Sequence, residues 1–220
     1  EGPCDLFPMF LMHHAFRRDL AAFAAAAAAT PVADRATWAA LNKRFRKLAS
    51  VLHHHHAGED AGLWPLLRAR AAATGDDAAV ATLDAMEAEH ARIDPLLDAV
   101  RDGFAELARG ATAEGRAAQA YRINATAQLL SAHLGHEERD AMALVQRHLT
   151  PADWERVEKE HFQSAYGPKD MPFVIGWALK GLPPTARRRA TAAGGLPMRI
   201  AAALVSPGFR RRERAAFGPS

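Results

Sequence analysis

Apolar residues recur at helical spacing along the first two-thirds of the chain. From about Asp5 to Ala29 they fall at Phe7, Phe10, Leu11, Phe16, Leu20 and Phe23, the spacing of an amphipathic helix. Thr30-Pro31 and Asp34 mark a turn and a new start. From Asp34 to about Leu67, Trp38, Leu41, Phe45, Leu48 and Leu52 form a stripe that runs into four consecutive histidines, His53 to His56. Pro65 is expected to end or kink this helix, because it lacks an N–H and clashes with the preceding turn. "TGDD" at 74–77 is a glycine turn followed by an acidic cap. A third helix then carries Val80, Leu83, Met86, Ile93, Leu97 and Val100, with Pro95 inside it predicting a kink. After "RGATAEG" at 109–115, a fourth helix from about Glu114 to Leu149 carries Tyr121, Leu129, Leu130, Leu134 and Leu144.

Beyond this point the pattern changes. Thr150 reads as an N-cap, with Pro151 at the first helical position and Asp153 three after the cap. Pro168, Pro172, Pro183-Pro184, Gly194-Gly195, Pro197 and Pro207 then divide residues 165–220 into short pieces, expected to be short helices laid against the rest. The apolar run 171–182 suits packing on the bundle or a dimer contact. The division is thus a four-helix bundle over 1–150 and a helical extension over 151–220. Composition agrees: the chain is alanine-rich and 49% hydrophobic, and strand-like runs of β-branched residues are nearly absent. The fold class is all-α.

Charge separates the same two parts. Residues 161–220 hold ten Lys/Arg against two Asp/Glu, whereas the chain as a whole is only +3. The basic character therefore belongs to the extension, and the expectation is no nucleic-acid partner. A homodimer contact, a membrane surface or an acidic partner fits the basic tail better, beside the simpler reading of a solvated basic face. The single cysteine, Cys4, fits a reducing compartment. No segment reads as a leader or a membrane span, and a cytoplasmic location is expected.

Chemistry concentrates in the histidines. Each of the four long helices brings one to a deep position: His14, one of the run His53–His56, His90 and His133. Two helices add a carboxylate four residues on, in His55-x-x-x-Glu59 and His133-x-x-x-Glu137. Residues i and i+4 share a helical face, about 5–6 Å apart at Cβ, as two ligands of one metal cluster require. In an antiparallel bundle, residues equidistant from a turn lie at the same height. The midpoint between His14 and His55 falls at Asp34, that between His55 and His90 just before Thr74-Gly75, and that between His90 and His133 within Gly110–Thr112. All three are turns or helix starts, so the four histidines can share one layer of an up-down-up-down bundle. Imidazole with carboxylate in a bundle core suits iron or manganese, with zinc in reach.

The order of these elements resembles the hemerythrin-like, or HHE cation-binding, family. The matching stretches are "HHAFRRDL", "HHAGEDAGLWP", "EAEHARIDPLL" and "HLGHEERDAMAL", within about residues 5–150. The resemblance implies a non-haem site of two irons, with His14, His55, His90 and His133 as terminal ligands and Glu59 and Glu137 as bridges. Oxygen-carrying members place a second histidine one turn before the helix-three ligand, where this chain has Met86. Glu87 is the candidate to supply an oxygen ligand instead, His56 rivals His55, and Glu138 rivals Glu137. His13 is expected outside the ligand set or at the surface, and Glu89 and Asp94 on a solvated edge. Asp60 is read as supporting or surface, His136 as a donor to a nearby carboxylate, and Arg17-Arg18 as either partners of site carboxylates or surface. The expected function is an oxidoreductase reacting with oxygen, peroxide or nitric oxide, with or without a small organic substrate. The alternative is a non-catalytic protein that binds, senses or stores oxygen or iron.

Overall fold

Turn residues fall where helices begin in the computed structural model, which describes residues 2–192 and 195–218. Helix α1 spans Phe7–Ala29 and α2 spans Arg35–Gly58. A π-helical turn, Glu59–Leu63, leads into α3, Trp64–Ala73. Helix α4 spans Asp77–Gly110 and α5 spans Ala113–His136, and a second π turn, Glu137–Ala141, leads into α6, Met142–His148. The side chains of Asp34, Asp76 and Thr112 accept hydrogen bonds from the backbone N–H groups of Thr37, Ala79 and Gly115, each satisfying a donor that the first helical turn leaves free.

One proline expectation is corrected. Pro65 does not end the second helix, because the π turn absorbs it. The Trp64 N–H reaches back to the Glu59 carbonyl, and Pro65 then occupies the first turn of α3, where no N–H is needed. Helix α4 contains Pro95, as expected, and runs on through it to Gly110.

Neighbouring helices touch in opposite order. His13 and Phe23 of α1 meet His55 and Phe45 of α2. His56 and Phe45 of α2 meet His90 and Phe104 of α4. Their side chains form two apolar clusters. One contains Phe16, Phe23, Trp38, Phe45 and Phe104, and the other Leu63, Trp64, Met86, Met142 and Trp154. Between them, on α1, α2, α4, α5 and the two π turns, lies a layer of histidine and glutamate. Tyr121, expected in the stripe, is 77% exposed. It lies two residues from both buried Gln119 and buried Ile123, about 200° around the helix from each.

The extension begins as expected, with a reciprocal cap between Thr150 and Asp153 opening α7, Pro151–Val157. A π turn (Glu158–Phe162), a short 3-10 turn (Gln163–Ala165), α8 (Met171–Ala178) and α9 (Pro184–Ala192) follow. Not all of its pieces are short: α10 covers Gly195–Phe217 through Pro207. Pro207 is exposed, as is Ala203, whose carbonyl loses a partner to the missing N–H and faces water instead. Gly194, expected to break the chain, lies outside the described residues.

Helices α8 and α10 close over α1 and α2 around a buried ion network. Arg44 of α2 pairs with Asp19 of α1 and Glu213 of α10. The Trp177 indole N–H donates to Asp19 at 2.9 Å, Arg18 donates to its other oxygen at 2.8 Å, and Lys180 reaches Glu213 at 2.6 Å. The Arg44 guanidinium also lies 4.8 Å from the centre of the Phe173 ring, close enough for a cation–π contact.

Candidate metal centre

Seven donors converge in the polar layer: His13 from α1, His55 and His56 from α2, Glu59 from the first π turn, His90 from α4, His133 from α5 and Glu137 from the second π turn. None is more than 3% exposed. They fall into two groups, His13–His55–Glu59–Glu137 and His56–His90–His133, and within each group the donor atoms lie within 4.8 Å of one another. The two carboxylates connect the groups. Glu59 places one oxygen 3.2 Å from His55 Nε2 and the other 3.5 Å from His90 Nε2. Glu137 Oε2 lies 3.3 Å from His13 Nε2 and 3.9 Å from His133 Nε2.

Four of the five histidines are oriented by carboxylates on their outer side. His13 Nδ1 donates to Glu138 at 3.0 Å, His56 to Asp94 at 2.8 Å, His90 to Asp60 at 2.8 Å and His133 to Glu89 at 2.7 Å. This arrangement places the proton on Nδ1 of the neutral ring and turns the Nε2 lone pair inward, as metal-binding histidines require. The inward nitrogens of His90 and His133 stand 3.1 Å apart, close enough for one ion to join them. Neither oxygen of Glu59 or Glu137 has a hydrogen-bond partner, nor does His56 Nε2. Buried carboxylates and imidazoles left this way are costly unless a cation joins them. The donors therefore fit metal, and their mix of imidazole and carboxylate suits iron, manganese or zinc.

The ionisation tendencies agree. Burial holds the His55 imidazole well below its ordinary range, with the surrounding histidines adding to the effect. Burial also lowers His133, to about 4, against the opposing pull of Glu137 and Glu89. Both rings are neutral at pH 7, the form that ligates. Burial and then the neighbouring Glu137 push the Glu59 carboxyl well up, the response of two carboxylates sharing a site without a counterion. Burial tends to raise Glu138 too, but hydrogen bonds from His13 and Arg17 outweigh it and bring the carboxyl to about 2.

A family model for the hemerythrin HHE cation-binding domain matches residues 8–145. The chain belongs to this family. No curated protein and no solved structure matches the chain.

Within this hemerythrin-like chain the structure brings together His55, Glu59, His90, His133 and Glu137. His14 is corrected: it is exposed, and its neighbour His13, wholly buried, faces the layer. The buried residues of α1 include Met9, His13, Phe16, Leu20, Phe23 and Ala27, an alternation of four- and three-residue steps that includes His13 and skips His14. His56 accompanies His55 instead of replacing it. Glu87 is exposed and paired with Arg68, so it offers no oxygen to the layer. Glu138 stands outside the donor groups, between His13 and Arg17 at 2.6 Å. Glu89 and Asp94 are not merely on a solvated edge, since each holds a histidine, and Glu89 also accepts from His136 at 2.9 Å. Arg18 goes to the Asp19 network, and His161 packs its ring against Gly62. No regular i, i+4 pattern points to these outer carboxylates, because each lies on a different element from the histidine it holds.

Proposed function

We propose that this hemerythrin-like protein holds two irons, one on His56, His90 and His133 and the other on His13 and His55, with Glu59 and Glu137 shared between them. The observation that carries this reading is the pair of glutamates, buried, without hydrogen-bond partners, and each reaching a histidine of both groups. On this assignment the fifth imidazole, whose usual place holds Met86, comes from His56 of the second helix. Bound iron supplies a redox couple for reaction with dioxygen, peroxide or nitric oxide. The protein's own residues hold the imidazoles by their outer nitrogens, exclude bulk water from the layer and limit what approaches.

Size favours a small oxidant over an organic substrate. A cavity of about 200 Å³ between α4 and α5 is lined by His133 together with Glu89, Arg92, Ile93, Leu129 and Ala132. Organic ligands usually occupy about 300–1,000 Å³. We therefore read the protein as an oxidoreductase that consumes a small oxidant at the expense of a reductant. The burial of all seven donors favours the second reading, a non-catalytic oxygen- or iron-binding sensor or store. Metal analysis with optical spectra under air and under dithionite tests the centre. Two irons and an oxidant-dependent spectrum are expected, and zinc, or no metal, would remove the di-iron proposal. Catalytic consumption of oxidant in excess reductant separates enzyme from sensor, since a sensor gives one stoichiometric change and stops.

A further inference from the structure

Helix α10 has two apolar faces. Ala202, Phe209, Glu213 and Ala216 are buried against the rest of the molecule. On the opposite side Leu196, Ile200 and Leu204 are 65%, 51% and 75% exposed. They stand at four-residue steps, so they share one face, and the buried set lies about 140–220° around the helix from Ile200. Beyond Pro207, Arg211 and Arg214 fall within about 40° of the same line, and both are exposed. Arg188, Arg199, Arg210, Arg211, Arg212 and Arg214 have no carboxylate partner among the described residues. The only acid after Asp170, Glu213, is committed to Arg44 and Lys180. This face is therefore aliphatic over its first half, cationic beyond Pro207, and free of exposed negative charge among the described residues.

We propose that the outer face of α10 docks on an anionic lipid surface. Aliphatic tips beside unpaired guanidinium groups match the boundary between acyl chains and anionic headgroups, where a helix gains from both apolar burial and charge. No described helix is long and apolar enough to cross a membrane, so α10 lies along the surface. A second copy of the chain fits less well, since two such faces would oppose arginines with arginines. Nucleic acid would gain nothing from three aliphatic side chains and finds no exposed aromatic ring on this face to stack bases.

Vesicle flotation tests the proposal, with the full chain mixed at low salt with phosphatidylcholine vesicles that contain or lack phosphatidylglycerol. Flotation only with the anionic vesicles is expected. Ile200→Ser with Leu204→Ser should weaken it by tenfold or more, since the docked helix loses most of its apolar burial. Arg211→Glu with Arg214→Glu should weaken it in the same way. Both pairs are exposed, and an unchanged circular dichroism melt shows that the fold survives. No flotation with anionic vesicles overturns the proposal, as does equal flotation of the serine variant. A dimer in lipid-free solution that the serine variant abolishes would reassign the face to a second copy of the chain.

Discussion

His13 and His14 are adjacent in the chain, yet one is sealed in the polar layer and the other faces water. A shift of one residue in a helix turns a side chain by about 100°, so the two cannot exchange roles without rotating α1. His13→Ala is expected to lower bound metal from two ions toward one, whereas His14→Ala should leave the metal content unchanged. Atomic absorption on the two variants checks this, and equal loading would sink the assignment of His13. The choice between the two was legible, but only from the right stripe. Phe7, Phe10 and Leu11 suggest one phase for the first helix, whereas Met9, Phe16, Leu20 and Phe23 set another and select His13. Phe10 itself is 41% exposed. The second and third helices gave no such conflict: Leu83, Met86, His90, Ile93, Leu97 and Val100 step by three and four without interruption, as Trp38, Leu41, Phe45, Leu48, Leu52 and His55 do. Asp60, Glu89, Asp94 and Glu138 were harder to read, because an acid at a helix edge looks the same in sequence whether it meets solvent or a neighbouring helix.

At the scale of elements, the π turns carry most of what a regular helical spacing misses. Each of the first two opens at a glutamate of the layer, Glu59 or Glu137, and π turns within helices are common at functional sites. The first is covered by the third. A Cβ at Gly62 would sit 2.3 Å from the His161 ring, and one at Gly58 would sit 2.9 Å from the His161 carbonyl. Gly62→Ala must therefore push the Glu158–Phe162 turn outward, and is expected to cost about 1–3 kcal/mol as overpacking, read from denaturant melts. The same turn supplies a pH dependence. Burial, with Asp5 and Glu155 nearby, raises Glu158 to about 7 from an ordinary 4.5. The folded protein then binds more protons than the unfolded chain between these values, so this residue's contribution to stability falls as pH rises from 4.5 through 7. Glu158→Gln should raise the melting temperature at pH 8 and leave it nearly unchanged at pH 4.

For the molecule as a whole, Arg44 joins the four-helix bundle to the extension. Removing its guanidinium leaves Asp19 and Glu213 buried with less positive charge, and breaking one partner of such a network costs about 3–5 kcal/mol. Arg44→Met should show that loss in a denaturant melt, and Glu213→Gln a smaller one, since Arg44 keeps Asp19. A thermal melt in which Arg44→Met matched the parent would show that the network contributes no net stability. The network also bears on the order of events during synthesis. Arg44 meets Asp19 across 25 residues but Glu213 across 169. When α6 has been made, at His148, the helices that bear the metal donors are complete while the carboxylate that finishes the Arg44 network is still 65 residues away. At about 5–20 residues per second, that gap lasts roughly 3–13 s. During that interval the surface of α1 and α2 that Trp177 and Phe209 later cover is bare. A chain at that stage carries every metal donor while this apolar surface has nothing to cover it, and exposed apolar surface of this kind is what chaperones and premature association act on.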